Sequence, residues 1–200
     1  MDGTDLAAVA RAQAGDQDAF RLLVERHSRA VFRVAYRLTG HEQDAEDVVQ
    51  DTFLRAYRQI GQFESRASFA TWLYRIAFNC AQDLLRQRPR AALHTSLDAD
   101  GASGARQDLP DEAPGRDPHR QLESAEINRR VHDGLGGLSE LERAAFVLRH
   151  FEGQSIEDIG NALGLKASAT KHSIFRAVQK MRVALASAPT DADARQGCRS

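Results

Sequence analysis

Apolar residues between Leu6 and Arg88 return every three or four positions, the spacing that lines side chains up on one face of an α-helix. Phe20, Leu23, Val24, His27, Val31, Val34, Ala35 and Leu38 form one stripe, and Val48, Val49, Thr52, Phe53, Ala56, Tyr57 and Ile60 form a second. Gly15-Asp16, Thr39-Gly40 and Gly61 punctuate them, as capping residues and glycines do at helix ends. The pattern predicts a domain of three or four helices within residues 1–90.

The stretch RASFATWLYRIAFNC, residues 66–80, crowds aromatic side chains between arginines. Wound at helical pitch, Phe69, Trp72, Leu73, Ile76, Ala77, Cys80, Leu84 and Leu85 fall on one broad stripe, the signature of a buried face. Trp72 is expected in the core or at its edge. The opposite face carries Thr71, Tyr74, Arg75 and Phe78 as outward groups, with Asn79 on its flank. Two readings fit them. Exposed aromatics beside cations stack on unpaired bases, worth roughly 1–3 kcal/mol per base, and an amide such as Asn79 adds base-edge selectivity. Alternatively, Tyr74 and Phe78 pack against a neighbouring helix or the start of the segment that follows.

Periodicity stops in residues 91–121, which are rich in Ala, Gly and Pro and carry Asp98, Asp100, Asp108, Asp111, Glu112 and Asp117. Such a composition predicts an acidic, disordered linker. Residues 187–200 read as a frayed tail for the same reason. Between them, residues 122–186 predict a second helical unit. Ser139 with Glu142 fits a capping box opening the run Ala144 to Phe151, and Ser155 with Asp158 fits another opening IEDIGNAL. Gly164 then breaks the chain, and a longer basic helix follows with Thr170, Ile174, Ala177, Val178 and Met181 on its inner face. A short helix, a glycine-containing turn and a longer basic helix predict a helix-turn-helix. Ser168, His172, Phe175, Arg176 and Gln179 project away from the apolar stripe, with Lys171 at its margin. That mixture of donors, acceptors and one apolar ring suits a major-groove reader.

The formal net charge is only −1, so attraction to nucleic acid has to come from local patches. The charge is indeed segregated. Glu42, Asp44, Glu46, Asp47 and Asp51 form an acidic block, Arg66, Arg75, Arg86, Arg88 and Arg90 a basic one, and Lys171, Arg176, Lys180 and Arg182 another. The acidic block complements the N-terminal end of a helix dipole and also suits a basic partner. Cys80 and Cys198 make neither a disulfide framework nor a zinc site. The histidines lack metal-ligand spacing, and no phosphate loop or nucleophile-base set stands out, so no enzyme activity, metal, cofactor or small-molecule substrate is expected. His27 reads as a satisfied core residue and Cys80 as an inert core thiol. The N-terminus lacks a basic start followed by an apolar core, and no segment approaches the length of a membrane span. A cytoplasmic protein is expected.

Taken together, GDQDAFRLLVERH, DAEDVVQDTFLRAYRQI, SFATWLYRIAFNCAQDLLR and LSELERAAFVLRHFEGQSIEDIGNALGL closely resemble the bacterial RNA polymerase sigma factors of the extracytoplasmic-function (ECF) group. The resemblance covers residues 5 to about 90 and 122 to 185 and implies an all-α fold of two small domains. It implies that the helix at 44–60 binds the β′ clamp helices of core RNA polymerase through Asp47, Gln50, Asp51, Phe53 and Arg55, with the β subunit a further partner. It implies that residues 63–90 recognise and melt the −10 promoter element through Arg66, Thr71, Trp72, Tyr74, Arg75, Phe78, Asn79 and Arg86, a flipped base lying near Asn79. The helix-turn-helix would read the −35 element through Ser168, Lys171, His172, Phe175, Arg176 and Gln179, and the linker would thread towards the polymerase's active-centre channel. An anti-sigma factor, often membrane-anchored in this family, is a further implied partner. The sequence departs from the family pattern at Ser173, where an arginine is usual, and at Val178, where a basic residue often sits. Fewer phosphate-directed cations imply weaker non-specific affinity.

Two other classes of answer are compatible with parts of the chain. An autonomous helix-turn-helix repressor would dimerise and footprint duplex DNA without polymerase, and would have no need of Asp47 and Asp51. A protein that merely sequesters a regulator would keep its function after Arg176→Ala or Tyr74→Ala.

Overall fold

The computed structural model describes the backbone of residues 3–87 and 118–186 and the side chains of residues 5–87 and 127–186. All regular elements among the described residues are helical. They are α1 (Gly3–Gln13), α2 (Gln17–Thr39), α3 (Glu42–Gln59), a 3₁₀ turn (Ile60–Gln62), α4 (Phe69–Gln87), α5 (Pro118–Gly136), α6 (Glu140–His150), α7 (Ile156–Leu163) and α8 (Ala167–Ala186).

Local chemistry sets the ends of these helices. Asp16 caps α2 by accepting the Ala19 N–H at 3.0 Å, and Arg11 holds the same carboxylate at 2.6 Å, which joins α1 to α2. Gly40 closes α2 in the left-handed region at φ 81°, a conformation that costs glycine little. Ser139 and Glu142 form the full capping box of α6. At α7 the expected box is only half made. Ser155 accepts the Asp158 N–H at 3.0 Å, but the Asp158 carboxylate takes the Ser155 hydroxyl at 2.6 Å rather than the Ser155 backbone, because aspartate is one methylene shorter than glutamate.

α2, α3 and α4 meet along their predicted stripes. Leu23, Val31, Val34, Val48, Leu73 and Ala77 are almost wholly removed from water, and each large apolar side chain so buried contributes about 1.5–3 kcal/mol. Tyr57 is the exception on the second stripe: it is half exposed and only its edge meets Phe20, at 5.0 Å between ring centroids. The same buried cluster continues into the C-terminal group through Leu135, Leu138, Ala145, Val147, Leu148, Ile159, Ala177 and Met181. His27 is satisfied by Asp5 at 2.8 Å and lies edge-on to Phe69. Cys80 is buried, and burial pushes its thiol pKa up, as an inert core cysteine requires.

The expected linker at 91–121 falls outside the described residues except at its end. There α5 has already begun at Pro118, a residue suited to the first turn of a helix because its missing N–H would be unpaired anyway. The expected tail at 187–200 also lies outside the described residues.

The two helical groups touch. α2 packs on α6 and α4 packs on α7, so the C-terminal group sits over one face of the N-terminal group.

Candidate nucleic-acid and polymerase interfaces

The helix-turn-helix is set by two glycines. Gly164 caps α7 at φ 67°, and its N–H reaches the Gly160 carbonyl. Gly160 is needed for closeness: a Cβ there would lie 2.8 Å from the Leu165 carbonyl oxygen. Thr170 is fully buried beneath the turn. α8 therefore leaves α7 in a fixed direction. Its outer face presents Ser168, Lys171, His172, Phe175, Arg176 and Gln179, all exposed, with the Phe175 ring 62% accessible. All six expected −35 residues thus share one open face. Ser173 is buried, so the departure from the family pattern at that position lies on the inner side of α8.

Glu142 was not anticipated as part of this face. Its buried carboxylate closes the capping box and also pairs with Lys180 at 2.7 Å and Arg176 at 3.4 Å on α8. The Lys180 hydrogen bond, followed by the Ser139 backbone N–H, holds its pKa below the ordinary carboxylate value. One acid thus fixes the end of α6 and ties down two cations of α8. The capping motif drew attention to Glu142, but its pairing with α8 has no sequence signal.

On α3, Asp47, Gln50 and Asp51 are exposed and share a face. Leu54, 46% exposed, and Tyr57, 50% exposed, continue that face at i+4 and i+7 from Gln50. Large apolar groups beside acids mark a surface for a protein partner better than acids alone. Sequence spacing could have found both. Phe53 is a correction: only 8% exposed, it points into the core and supports α3 instead of meeting a partner. Arg55 bonds Asp83 on α4 at 3.0 Å, an interaction that raises its pKa and ties α3 to α4.

The larger correction falls on α4. Arg66, Arg75, Asn79 and Arg86 are exposed, and Trp72 is half-buried against Phe63 and Phe69. Of the residues on the outward face, Thr71, Tyr74 and Phe78 are 1%, 4% and 6% exposed, so that for Tyr74 and Phe78 the structure has the alternative in which they pack against a neighbouring element. Their cover is the C-terminal group. The Tyr74 hydroxyl donates to Glu152 Oε2 at 3.3 Å, Thr71 Oγ1 lies 3.3 Å from Asp158 Oδ1, and Phe78 shares a small crevice with Arg143 and Glu140. Burial, and then the Glu152 charge, push the Tyr74 phenol well above its ordinary pKa.

Arg33 and Arg37 of α2 extend the contact. Arg33 reaches Glu152 through two bonds, Nη2 to Oε2 at 2.9 Å and Nε to Oε1 at 3.1 Å. The Arg37 guanidinium lies 4.0 Å from the centre of the Phe151 ring. Arg143 Nη1 donates to the Leu38 carbonyl at 2.7 Å, and Gln82 Nε2 to Glu140 Oε2 at 3.0 Å. None of these pairs had a sequence signal, because their members lie far apart along the chain.

Among the described residues no group of His, Cys, Asp and Glu could hold a metal ion, and no helix is long and apolar enough to cross a membrane.

An exposed acidic and apolar face on α3, exposed arginines along α4 and an open helix-turn-helix describe a two-domain, all-α helix-turn-helix protein. Residues 23–91 match the family model Sigma-70 region 2, and residues 128–181 match Sigma-70, region 4. The RNA polymerase sigma-H factor of Pseudomonas aeruginosa is 36% identical over 183 residues, which cover 90% of this chain and 93% of that protein. The ECF RNA polymerase sigma-E factor of Haemophilus influenzae is 37% identical over 175 residues, covering 87% and 91% respectively. The solved structure of CnrH in complex with the cytosolic domain of CnrY is similar with a TM-score of 0.67 at 31% identity, over 93% of this chain and 99% of that one. The chain belongs to the family of ECF RNA polymerase sigma factors.

Proposed function

We propose that this protein binds core RNA polymerase and directs initiation at a defined promoter set without itself catalysing a reaction. The N-terminal group docks on the polymerase through the exposed face of α3, with Asp47, Gln50 and Asp51 as polar contacts and Leu54 and Tyr57 as apolar ones. The −10 element is read and melted by α4 and the turn before it, with Arg66, Arg75 and Arg86 on phosphates, Trp72 beside unstacked bases and Asn79 on a polar edge. Extruding a base costs a few kcal/mol, which those contacts offset. The exposed face of α8 reads the −35 duplex, with Arg176, Lys171 and Gln179 as donors and Phe175 as the contact for thymine methyls.

The observation that carries this reading is the pairing of two sigma-factor domains, in family order, with a helix-turn-helix face left open to solvent. The likeness to CnrH, solved with a bound cytosolic partner domain, supports an anti-sigma factor as a further partner. Residence in the cytoplasm, with any membrane attachment supplied by that partner, follows from the same reading.

Run-off transcription with core polymerase on a promoter library tests the proposal. Wild type is expected to start transcripts from a defined set, and Asp51→Arg to lose them. Initiation by neither, together with a duplex footprint by wild type alone, would overturn it in favour of a repressor.

A further inference from the structure

The last residue of α1, Gln13, donates its side-chain amide to main chain 47 and 50 residues further on: Nε2 lies 2.9 Å from Ile60 O and 2.9 Å from Phe63 O. An amide nitrogen carries two protons, and both are used. The two carbonyls bracket the 3₁₀ turn that leads out of α3, so α1 holds that turn at its start and at its end. Ile60 O also accepts the Phe63 N–H at 3.1 Å, and the amide closes over a turn that the backbone itself has made.

Beyond the turn, residues 64–68 form a short loop before α4. Ser65 there takes φ 55°, a left-handed conformation that residues with a Cβ rarely adopt. Such a conformation persists where the bonds around it over-determine the backbone. Gln13 fixes the chain before the loop, and Ser68 fixes it after, its hydroxyl accepting the Thr71 N–H at 3.0 Å. Between these anchors the Arg66 side chain stands 85% exposed, paired with Glu64 at 2.7 Å. An exposed pair of this kind is weak enough for a phosphate to replace the acid.

The same anchor reaches Trp72. The buried Phe63 ring lies 5.2 Å from the Trp72 ring and 5.6 Å from Phe69, and Phe69 lies 5.6 Å from Trp72. Phe69 in turn meets His27 edge-on at 5.4 Å, and Asp5 of α1 holds His27 at 2.8 Å. Both rings packed on Trp72 are therefore tied to α1, one through Gln13 and the other through Asp5 and His27. Trp72 is half-buried, and the exposed Arg75 and Asn79 continue its face at i+3 and i+7. We infer that Gln13 is a positioning residue for promoter melting: by fixing Phe63 and the turn before it, Gln13 sets the pose in which Arg66 and Trp72 meet the unpaired −10 strand. This inference rests on the −10 reading of α4 and the loop before it.

Holding the fold together is the work of other residues. Ala8, Val9 and Ala12 bury the apolar side of α1, while the Asp5–His27 and Arg11–Asp16 pairs join it to α2. Gln13 itself is exposed, so α1 stays docked when its amide is removed and the two carbonyls turn to water. What is lost is direction. Stacking on a base depends on the pose of the ring, and a ring and loop already held in place avoid an ordering cost when the strand arrives.

Gln13→Glu keeps the size of the side chain but puts an acceptor against two carbonyls, and Gln13→Met keeps its length with no donor. Both full-length variants, checked for folding by circular dichroism, are compared with wild type in run-off transcription with core polymerase. Two templates are used: a duplex promoter from the set that wild type recognises, and the same promoter with its −10 region unpaired by mismatches. On the duplex, both variants are expected to lose about tenfold in transcript yield, the equivalent of about one hydrogen bond. On the unpaired template the loss is expected to be much smaller, because extruding a base no longer has to be offset. A purely structural role would lower both templates alike. Trp72 is the sole tryptophan, so its emission reports the pose, and the maximum is expected to move to longer wavelength in both variants as the ring loosens from Phe63. With wild type active, an undiminished duplex yield, an equal fall on the two templates or an unmoved Trp72 emission would overturn the inference and leave the sigma reading standing. If wild type starts no transcripts from either template, the sigma reading falls and this inference falls with it.

Discussion

Arg33 and Glu152 are separated by 119 residues in sequence and joined by two hydrogen bonds, of 2.9 and 3.1 Å. The pair links α2 to the turn before α7, and the raised pKa of Arg33 comes first from that bond. A double-mutant cycle with Arg33→Ala and Glu152→Ala, read by denaturant unfolding, is expected to give a coupling of about 0.5–3 kcal/mol. Strict additivity would show that the contact is not populated in solution.

Phe175 is 62% exposed, an aromatic ring presented largely to water. Phe175→Ala is therefore expected to change stability by less than about 0.5 kcal/mol, as surface substitutions do. Run-off from promoters that depend on the −35 element is expected to fall on the order of tenfold, which corresponds to about 1.4 kcal/mol of lost contact. An unaltered transcript yield would remove Phe175 from the reader face.

Gly160→Ala places a methyl 2.8 Å from the Leu165 carbonyl oxygen, and backbone has to move to receive it. Overpacking of this kind costs about 1–3 kcal/mol. The C-terminal group is expected to melt earlier than in wild type while the N-terminal group, followed by Trp72 fluorescence, keeps its own transition.

Glu142 gives the C-terminal group a specific response to acid. Its pKa in the folded chain lies below the unfolded value, so its stabilisation is fully present above the unfolded value and is lost as pH falls through the folded one. The melting temperature is expected to drop as pH falls from about 5 to 3, the carboxylate range. Glu142→Gln, which retains a side chain able to complete the capping box, is expected to flatten that part of the profile. An unchanged slope would mean that other carboxylates set the acid limit.

Cys80 and Leu73 probe the core beneath α4. In a Cys198→Ser background, Cys80 is expected to react with a thiol reagent only as the protein unfolds, because it is buried and its thiol pKa is raised. Leu73→Ala, at 0% exposure, is expected to cost about 2–5 kcal/mol of stability in a denaturant titration.

The sequence alone determined the helices and their inner faces. Periodicity at Leu23, Val31, Val34 and Val48, the Ser139–Glu142 capping box and the break at Gly164 are short-range signals, and each formed as its local chemistry requires. The outward face of α8 was equally legible, because its residues stay exposed to solvent. Tertiary structure alone decided the outer stripe of α4. Thr71, Tyr74 and Phe78 carry polar atoms or sit beside arginine, so helical spacing leaves open whether they meet solvent, bases or protein. Their burial depends on Glu152, Asp158 and Arg143, which approach only when the second domain folds back across the first. Helix periodicity records which residues share a face; what covers a half-polar face is a long-range contact, and its energy belongs to no single segment of the chain.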